Sequence, residues 1–259
     1  MVDSVAGTSA STVGAVRSVG RAFDLVTLFD ARHPSHSLRD LVAATGLPKT
    51  TVVRLVSTLE QRRLLTTRTD GTYTLGAGFL RWVRLAQSIW EVDEETRRLM
   101  RKLVDECGET VNVYVRQDTN RLSIAQEEGT ATVRSVVQVG VPMPLSVGAS
   151  SKVLLGGAGA EVVDQLATVV DHLDVDSLRR QVAAVTETGY AVTHGERELG
   201  ASSVAAPIRA RDGRVVAALS VSGPTSRFTA DQIASYVKAV TKQARAISES
   251  GLGGVEALL

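Results

Sequence analysis

The sequence predicts an α+β fold in two parts, a helical and basic N-terminal third followed by a larger region in which an antiparallel sheet is flanked by helices. Three observations carry this. Residues 37–65 hold two short amphipathic helices separated by Gly46-Leu47-Pro48. At Thr110 the hydrophobic period changes from that of a helix to that of a strand. Beyond it, strands and helices come in blocks without regular alternation, which favours a mixed sandwich over a parallel βα fold.

Taken in order, residues 18–30 read as a helix with Val19, Phe23, Val26 and Phe29 at helical spacing, able to roof the two helices that follow. Ser37 is placed to cap the next helix, which buries Leu38, Leu41 and Val42 and stops at Gly46. Pro48 suits the start of another helix at a steep angle. That helix sorts its faces: Val52, Leu55, Val56 and Leu59 on one side, Lys49, Thr50, Thr51, Arg54 and Thr58 on or near the other. Short hydroxyls and long cations in that setting suit phosphates and base edges. Asp70-Gly71, flanked by Thr, Tyr and Leu, is a hairpin signal and supplies a wing carrying Arg68. Three helices and a hairpin make a winged helix-turn-helix over 17–78, with Ser37, Lys49, Thr50, Thr51, Arg54, Thr58 and Arg68 as its candidate DNA-binding residues.

Charge agrees. Arg17–Arg84 carries 11 Lys and Arg against 5 Asp and Glu, whereas Leu85–Leu259 carries 18 against 22, so the chain's net +1 conceals a basic third. At 259 residues and 44% hydrophobic, the chain has room for two soluble domains. Residues 1–16 are small and polar, without the basic start or apolar core of a signal peptide, and are expected to be a flexible tail. No membrane partner is expected, and the DNA reading places the protein in the cytoplasm with the nucleoid. Cys107, the single cysteine, excludes an internal disulfide and is expected in a helix core.

From Leu75 to Val92 a helix is expected to present Phe79, Trp82, Val83, Leu85, Ala86 and Ile89, with 79–92 as the linker between domains. So broad an apolar face needs cover, either from its own domain or from a twin helix in a second subunit. A periodic helix at 93–107 opens the second domain, 93–259. Strand runs follow at 110–115, around 122–124, and at 132–139, 190–194, 203–210 and 214–222, with helices at 151–170, 176–188 and 229–249.

Catalytic signatures are missing from this pattern. The four histidines are scattered, with no metal-ligand spacing, and Val147-Gly148-Ala149-Ser150-Ser151-Lys152 lacks the ending of a phosphate loop. No cofactor or metal is expected, and no enzyme. The same loop does open a helix near Ser150 whose free N–H groups suit an anion.

Seven segments in sequence, SVGRAFDLVTLF, LVAATGLPKTTVVRLVSTLEQRRLL, YTLG, MPLSVGASSKVLL, GYAVTHGERELG, VAAPIRARDG and AALSVSGPTSRFT, together resemble the IclR family of bacterial transcription regulators. The resemblance implies a GAF-like α+β effector domain at the C-terminus, a homodimer or homotetramer on an inverted-repeat operator in double-stranded DNA, and a small organic acid or aromatic metabolite as ligand. It carries the effector site onto Ala149 and Ser150, Thr193, Ser203, Ser220 and Ser222. Here the chain departs from some members: Ala149-Ser150 stands for a Gly-Ala pair, Thr193 for an acidic residue and Ser203 for a cysteine. The function implied is a ligand-responsive DNA-binding regulator, a repressor of a catabolic operon; the alternative is a regulator whose C-terminal domain only oligomerises.

Overall fold

A computed structural model describes residues 16–259. The expected tail, but for Val16, lies outside the described residues. The chain divides into two compact units, with the boundary between Ser88 and Ile89.

The first unit begins with α1 (Arg17–Val26), β1 (Ser35–His36), α2 (Leu38–Thr45) and α3 (Lys49–Gln61). β2 (Leu65–Thr67), β3 (Tyr73–Leu75) and α4 (Gly78–Ile89) complete it. α2 starts on a reciprocal cap, in which the Asp40 N–H donates to the Ser37 hydroxyl and the Ser37 N–H donates to the Asp40 carboxylate. Gly46, at φ 63°, ends it in the left-handed conformation that glycine reaches most cheaply. Leu25, Phe29, Leu41, Val52, Val56, Leu59 and Leu65 close the core.

Helix α1 differs from expectation. It stops at Val26, and Val19 and Phe23 do not enter the core, Phe23 being 63% exposed. The three-helix core takes Ala22, Leu25, Val26 and Phe29 instead, a stripe rotated from the Val19–Phe23 line. Periodicity revealed an apolar stripe without revealing what covers it. Val19 and Phe23, with Leu55 and Phe79, border an open hollow of about 620 Å³. The wing gains a third strand that sequence periodicity could not show, because β1 is two residues long; the order is β1-β3-β2, with Ser35 opposite Thr74.

The second unit has three layers. In chain order its elements are α5 (Glu94–Cys107), β4 (Thr110–Gln117), β5 (Asn120–Glu127), β6 (Pro142–Pro144) and α6 (Ala149–Gly156). Then come α7 (Ala160–Val169), α8 (Val175–Thr188), β7 (Ala191–His194), β8 (Ala201–Arg209), β9 (Val215–Pro224) and α9 (Ala230–Ser250). The strands form one antiparallel sheet in the order β6-β5-β4-β9-β8-β7. Alternate residues serve opposite faces. Val111, Val113, Val204, Leu219 and Val221 pack under α5 and α9, while Tyr114, Ala205 and Ala218 pack under α6, α7 and α8.

Two expectations are corrected here. Residues 132–139 form no strand, although rich in valine: Val133, Val136 and Val139 are exposed. The Val137 N–H donates to the Gln126 side chain and the Gly140 N–H to the Ser123 carbonyl, so this backbone has partners other than a ladder. Strand propensity without a pairing neighbour does not make a strand. The edge is taken by Pro142–Pro144, where missing N–H groups do no harm. The single helix expected at 151–170 is two, because the chain breaks at Gly157-Ala158-Gly159.

Candidate functional site

In the first unit, α3 turns Lys49, Thr50, Val53, Arg54, Ser57 and Thr58 outward, opposite Val52, Val56 and Leu59. Among the described residues neither Lys49 nor Arg54 has an ion-pair partner, so both cations are free to meet an anion. Thr51 is half-buried and, with Arg54 and Thr58, borders the apolar hollow. The Thr58 hydroxyl donates to the Arg54 carbonyl at 2.8 Å, and the Ser37 hydroxyl donates to Asp40 at 2.7 Å, so both protons are already committed. Ser57 and Val53 escaped the sequence reading, yet lie one turn from Thr50 and Arg54 on the same face.

The wing tip is shaped by Asp70 and Gly71. Gly71 has φ 79°, and the Asp70 carboxylate accepts from the Thr72 hydroxyl at 2.6 Å and the Thr72 N–H at 2.9 Å. Those bonds, the hydroxyl's first, hold the Asp70 carboxyl below its ordinary value. Arg68 lies beside it, Nε 3.6 Å from the carboxylate, in an exposed pair of little energetic weight.

In the second unit, Ala149, Ser150, Thr193, Ser203, Ser220 and Ser222 come together around one cavity. Thr193 faces Ser203, Ser203 faces Ser222 and Ser222 faces Thr110, so four hydroxyls form a row across β7, β8, β9 and β4. Ser220, on the same face of β9, lies opposite Ala205 and Asn112. Among the described residues the side chains of Ser150, Thr193, Ser203, Ser220 and Ser222 make no hydrogen bond. They are therefore not satisfying local backbone. α6 begins at Gly148, whose φ of 94° is open to glycine, and no side chain bonds the Ala149 and Ser150 N–H groups. Small residues and free donors thus border one hollow.

Charged groups that the sequence did not reveal complete the lining: Arg121 from β5, and Glu196 and Arg197 from the turn after β7. The Glu196 carboxylate accepts from the Gly148 N–H at 2.8 Å and pairs with the buried Lys152 ammonium. Arg197 donates to the Ser135 hydroxyl at 2.8 Å. Tyr114, with its phenol raised by burial, forms one wall. The free volume of the cavity is small, about 30 Å³. Cys107 is remote in role: it ends α5 half-buried, and burial, with Glu106 and Glu109, pushes its thiol up to about 12, away from nucleophilic use.

A winged helix-turn-helix with exposed, unpaired cations, on a chain whose second domain holds a cavity lined by hydroxyls and charged groups, defines a class: DNA-binding transcription regulators. Comparison with known proteins makes it specific. The family described as "Bacterial transcriptional regulator IclR C-terminal" matches residues 86–249, and "IclR helix-turn-helix domain" matches 18–69. The chain belongs to the IclR family. It is 29% identical to the HTH-type transcriptional regulator KipR of Bacillus subtilis, over 90% of this chain and 96% of that protein. It is 28% identical to the acetate operon repressor of Salmonella typhimurium, over 94% and 93%. A solved IclR-family regulator from Rhodococcus sp. is 48% identical, with a TM-score of 0.64, over 97% of this chain and all of that one. Among the described residues no helix is long and apolar enough to cross a membrane.

Proposed function

We propose that this protein is a repressor of a catabolic operon whose grip on DNA changes when its C-terminal domain binds a small organic acid or an aromatic metabolite. One observation carries the reading: five side-chain hydroxyls without partners among the described residues converge on one cavity at the start of α6. Hydroxyls that make no bond to the protein keep their donor and acceptor capacity for a ligand. A ligand that binds one arrangement of the domain better than another shifts operator affinity by that difference, about 1–3 kcal/mol in ordinary allosteric couplings. A thermal-shift screen of carboxylic acids, followed by operator binding with each hit, tests this. A saturable rise in melting temperature and a changed operator affinity with the same compound support it. Silence across the screen favours the alternative, a C-terminal domain that only oligomerises, for which the small volume of the cavity speaks.

On DNA, the α3 face is assigned to base and phosphate contacts through Lys49, Thr50, Thr51, Arg54 and Thr58, with Arg68 on the backbone beside it and Ser37 bracing the entry to α2. Arg54→Ala is expected to weaken specific binding by about 1–3 kcal/mol, the value of a good side-chain contact to a base, with the domain still folded. Unchanged affinity in a folded variant removes α3 as the reading helix. Arg68→Ala is expected to act alike on all sequences and to lower the salt slope by about 1, as loss of one phosphate contact does. An unaltered slope means that the wing does not touch the phosphates.

Assembly is assigned to a second copy of this chain. α4 exposes Trp82, Leu85 and Ile89 on one face, Trp82 at 66%. Two copies would bring two reading helices to an inverted-repeat operator, and pairing of dimers would give the tetramer.

A further inference from the structure

We propose that Arg121 is the charge partner of the effector, so that the cavity takes an anion and refuses its neutral analogue; this rests on the reading of the cavity as the effector site. Arg121 sits on β5 beneath the first turn of α6 and is 3% exposed. Every hydrogen bond it makes leaves from Nη1: to the Pro144 carbonyl at 2.8 Å, to the Val147 carbonyl at 2.5 Å and to the Ser151 hydroxyl. Its Nε is buried without a partner, and among the described residues Nη2 has none either. Among the described residues no carboxylate pairs with it. Nε and Nη2 form the side-on edge of the guanidinium, the one that donates two parallel bonds to the two oxygens of a single carboxylate.

Nη2 lies beside a second set of donors. A Cβ built on Gly148 would lie 3.2 Å from Nη2, so the guanidinium is pressed against the start of α6, where the Ala149 and Ser150 N–H groups are uncapped. The Tyr114 ring supports it from one side, 5.5 Å from its central carbon. Burial, reinforced by Arg197, lowers the basicity of Arg121, yet a guanidinium stays charged at any physiological pH. The local balance is positive. Arg121, Arg197 and Lys152 surround one lining carboxylate, Glu196, which Lys152 and the Gly148 N–H already hold. A buried cation without a counter-ion is costly, and among the described residues no carboxylate meets the free edge, which has the geometry to hold one.

Full-length protein titrated with acetate, pyruvate and benzoate, each against its amide, and with inorganic phosphate, tests this by thermal shift and calorimetry. At least one carboxylate is expected to stabilise the wild type saturably while its amide does not. Arg121→Gln is expected to bind that acid about ten- to a hundredfold more weakly, the cost of a lost charge-assisted bond pair, and Arg121→Lys to fall between. Circular dichroism and the ligand-free melting temperature establish that both variants fold. If Arg121→Gln does not, the acid-against-amide comparison on the wild type and the Arg121→Lys titration still decide. An acid bound equally by the wild type and Arg121→Gln, or an amide bound as tightly as its acid, overturns the role of Arg121 and leaves the effector site standing. Phosphate binding that Arg121→Gln loses, with every carboxylate silent, supports the anion partner and removes the organic-acid reading. Silence of the wild type toward all the anions removes both.

Discussion

Replacing Trp82 and Leu85 together by aspartate is expected to yield a monomer that binds its operator at least about a hundredfold more weakly than the native protein. Both residues lie on α4, three positions apart and therefore on one face, and each exposes more than half of its surface within its own chain. In the proposed dimer that surface would be covered, and two carboxylates placed there would lose hydration without gaining a partner. A monomer engages one half-site. The second recognition helix then no longer binds at the high effective concentration that linkage provides, and the gain of roughly two to four decades from bivalency is lost. Sedimentation of the double variant, with operator titration alongside, checks this. A dimer of unchanged affinity would show that α4 serves only its own subunit and that assembly is driven elsewhere, most simply by the second domain.

Ser220→Leu is expected to abolish the response to effector while leaving ligand-free operator binding in place. Ser220 is 1% exposed and faces a cavity of about 30 Å³. A leucine would fill that space and remove a donor, at an overpacking cost of about 1–3 kcal/mol. Operator titrations with and without a stabilising acid give the answer. A variant that still answers the acid would place the effector elsewhere.

The first unit was legible because its signals are local. The capping residue, Gly46 and the apolar spacing of α3 each lie within a few positions of what they determine, and so does the Asp70-Gly71 turn. The misplaced stripe on α1 shows the limit: Val19 and Phe23 have the period of a buried face, and period carries no information on which neighbour covers it. In the second unit the hydroxyls were found through resemblance to a family, since a serine in a strand has no signature of its own. Arg121 escaped altogether. Beside Leu122 and Ile124 it alternates as a solvent-facing residue would, and that inference fails here because α6 covers the second face of the sheet. Its partners, Pro144, Val147 and Ser151, lie 23 to 30 positions along the chain. Glu196 and Arg197 lie further still, in a turn with no period to read.

The alternation along β9 separates two tasks at neighbouring residues. Leu219 and Val221 hold the domain together beneath α5 and α9, while Ser220 and Ser222 face the cavity on the other side of the same backbone. Substitutions at positions 220 and 222, and at 203 on β8, alter what the cavity presents, while the packing beneath α5 and α9 lies on the other face of the sheet. If the cavity is an effector site, a lineage that keeps Ala217, Leu219 and Val221 could exchange one ligand for another in few mutational steps. Insertion of one residue into the strand would be another matter, for it would turn the leucine and valine into the cavity and the serines into the core. Drift in what is sensed is open to this scaffold, and drift in strand length is closed.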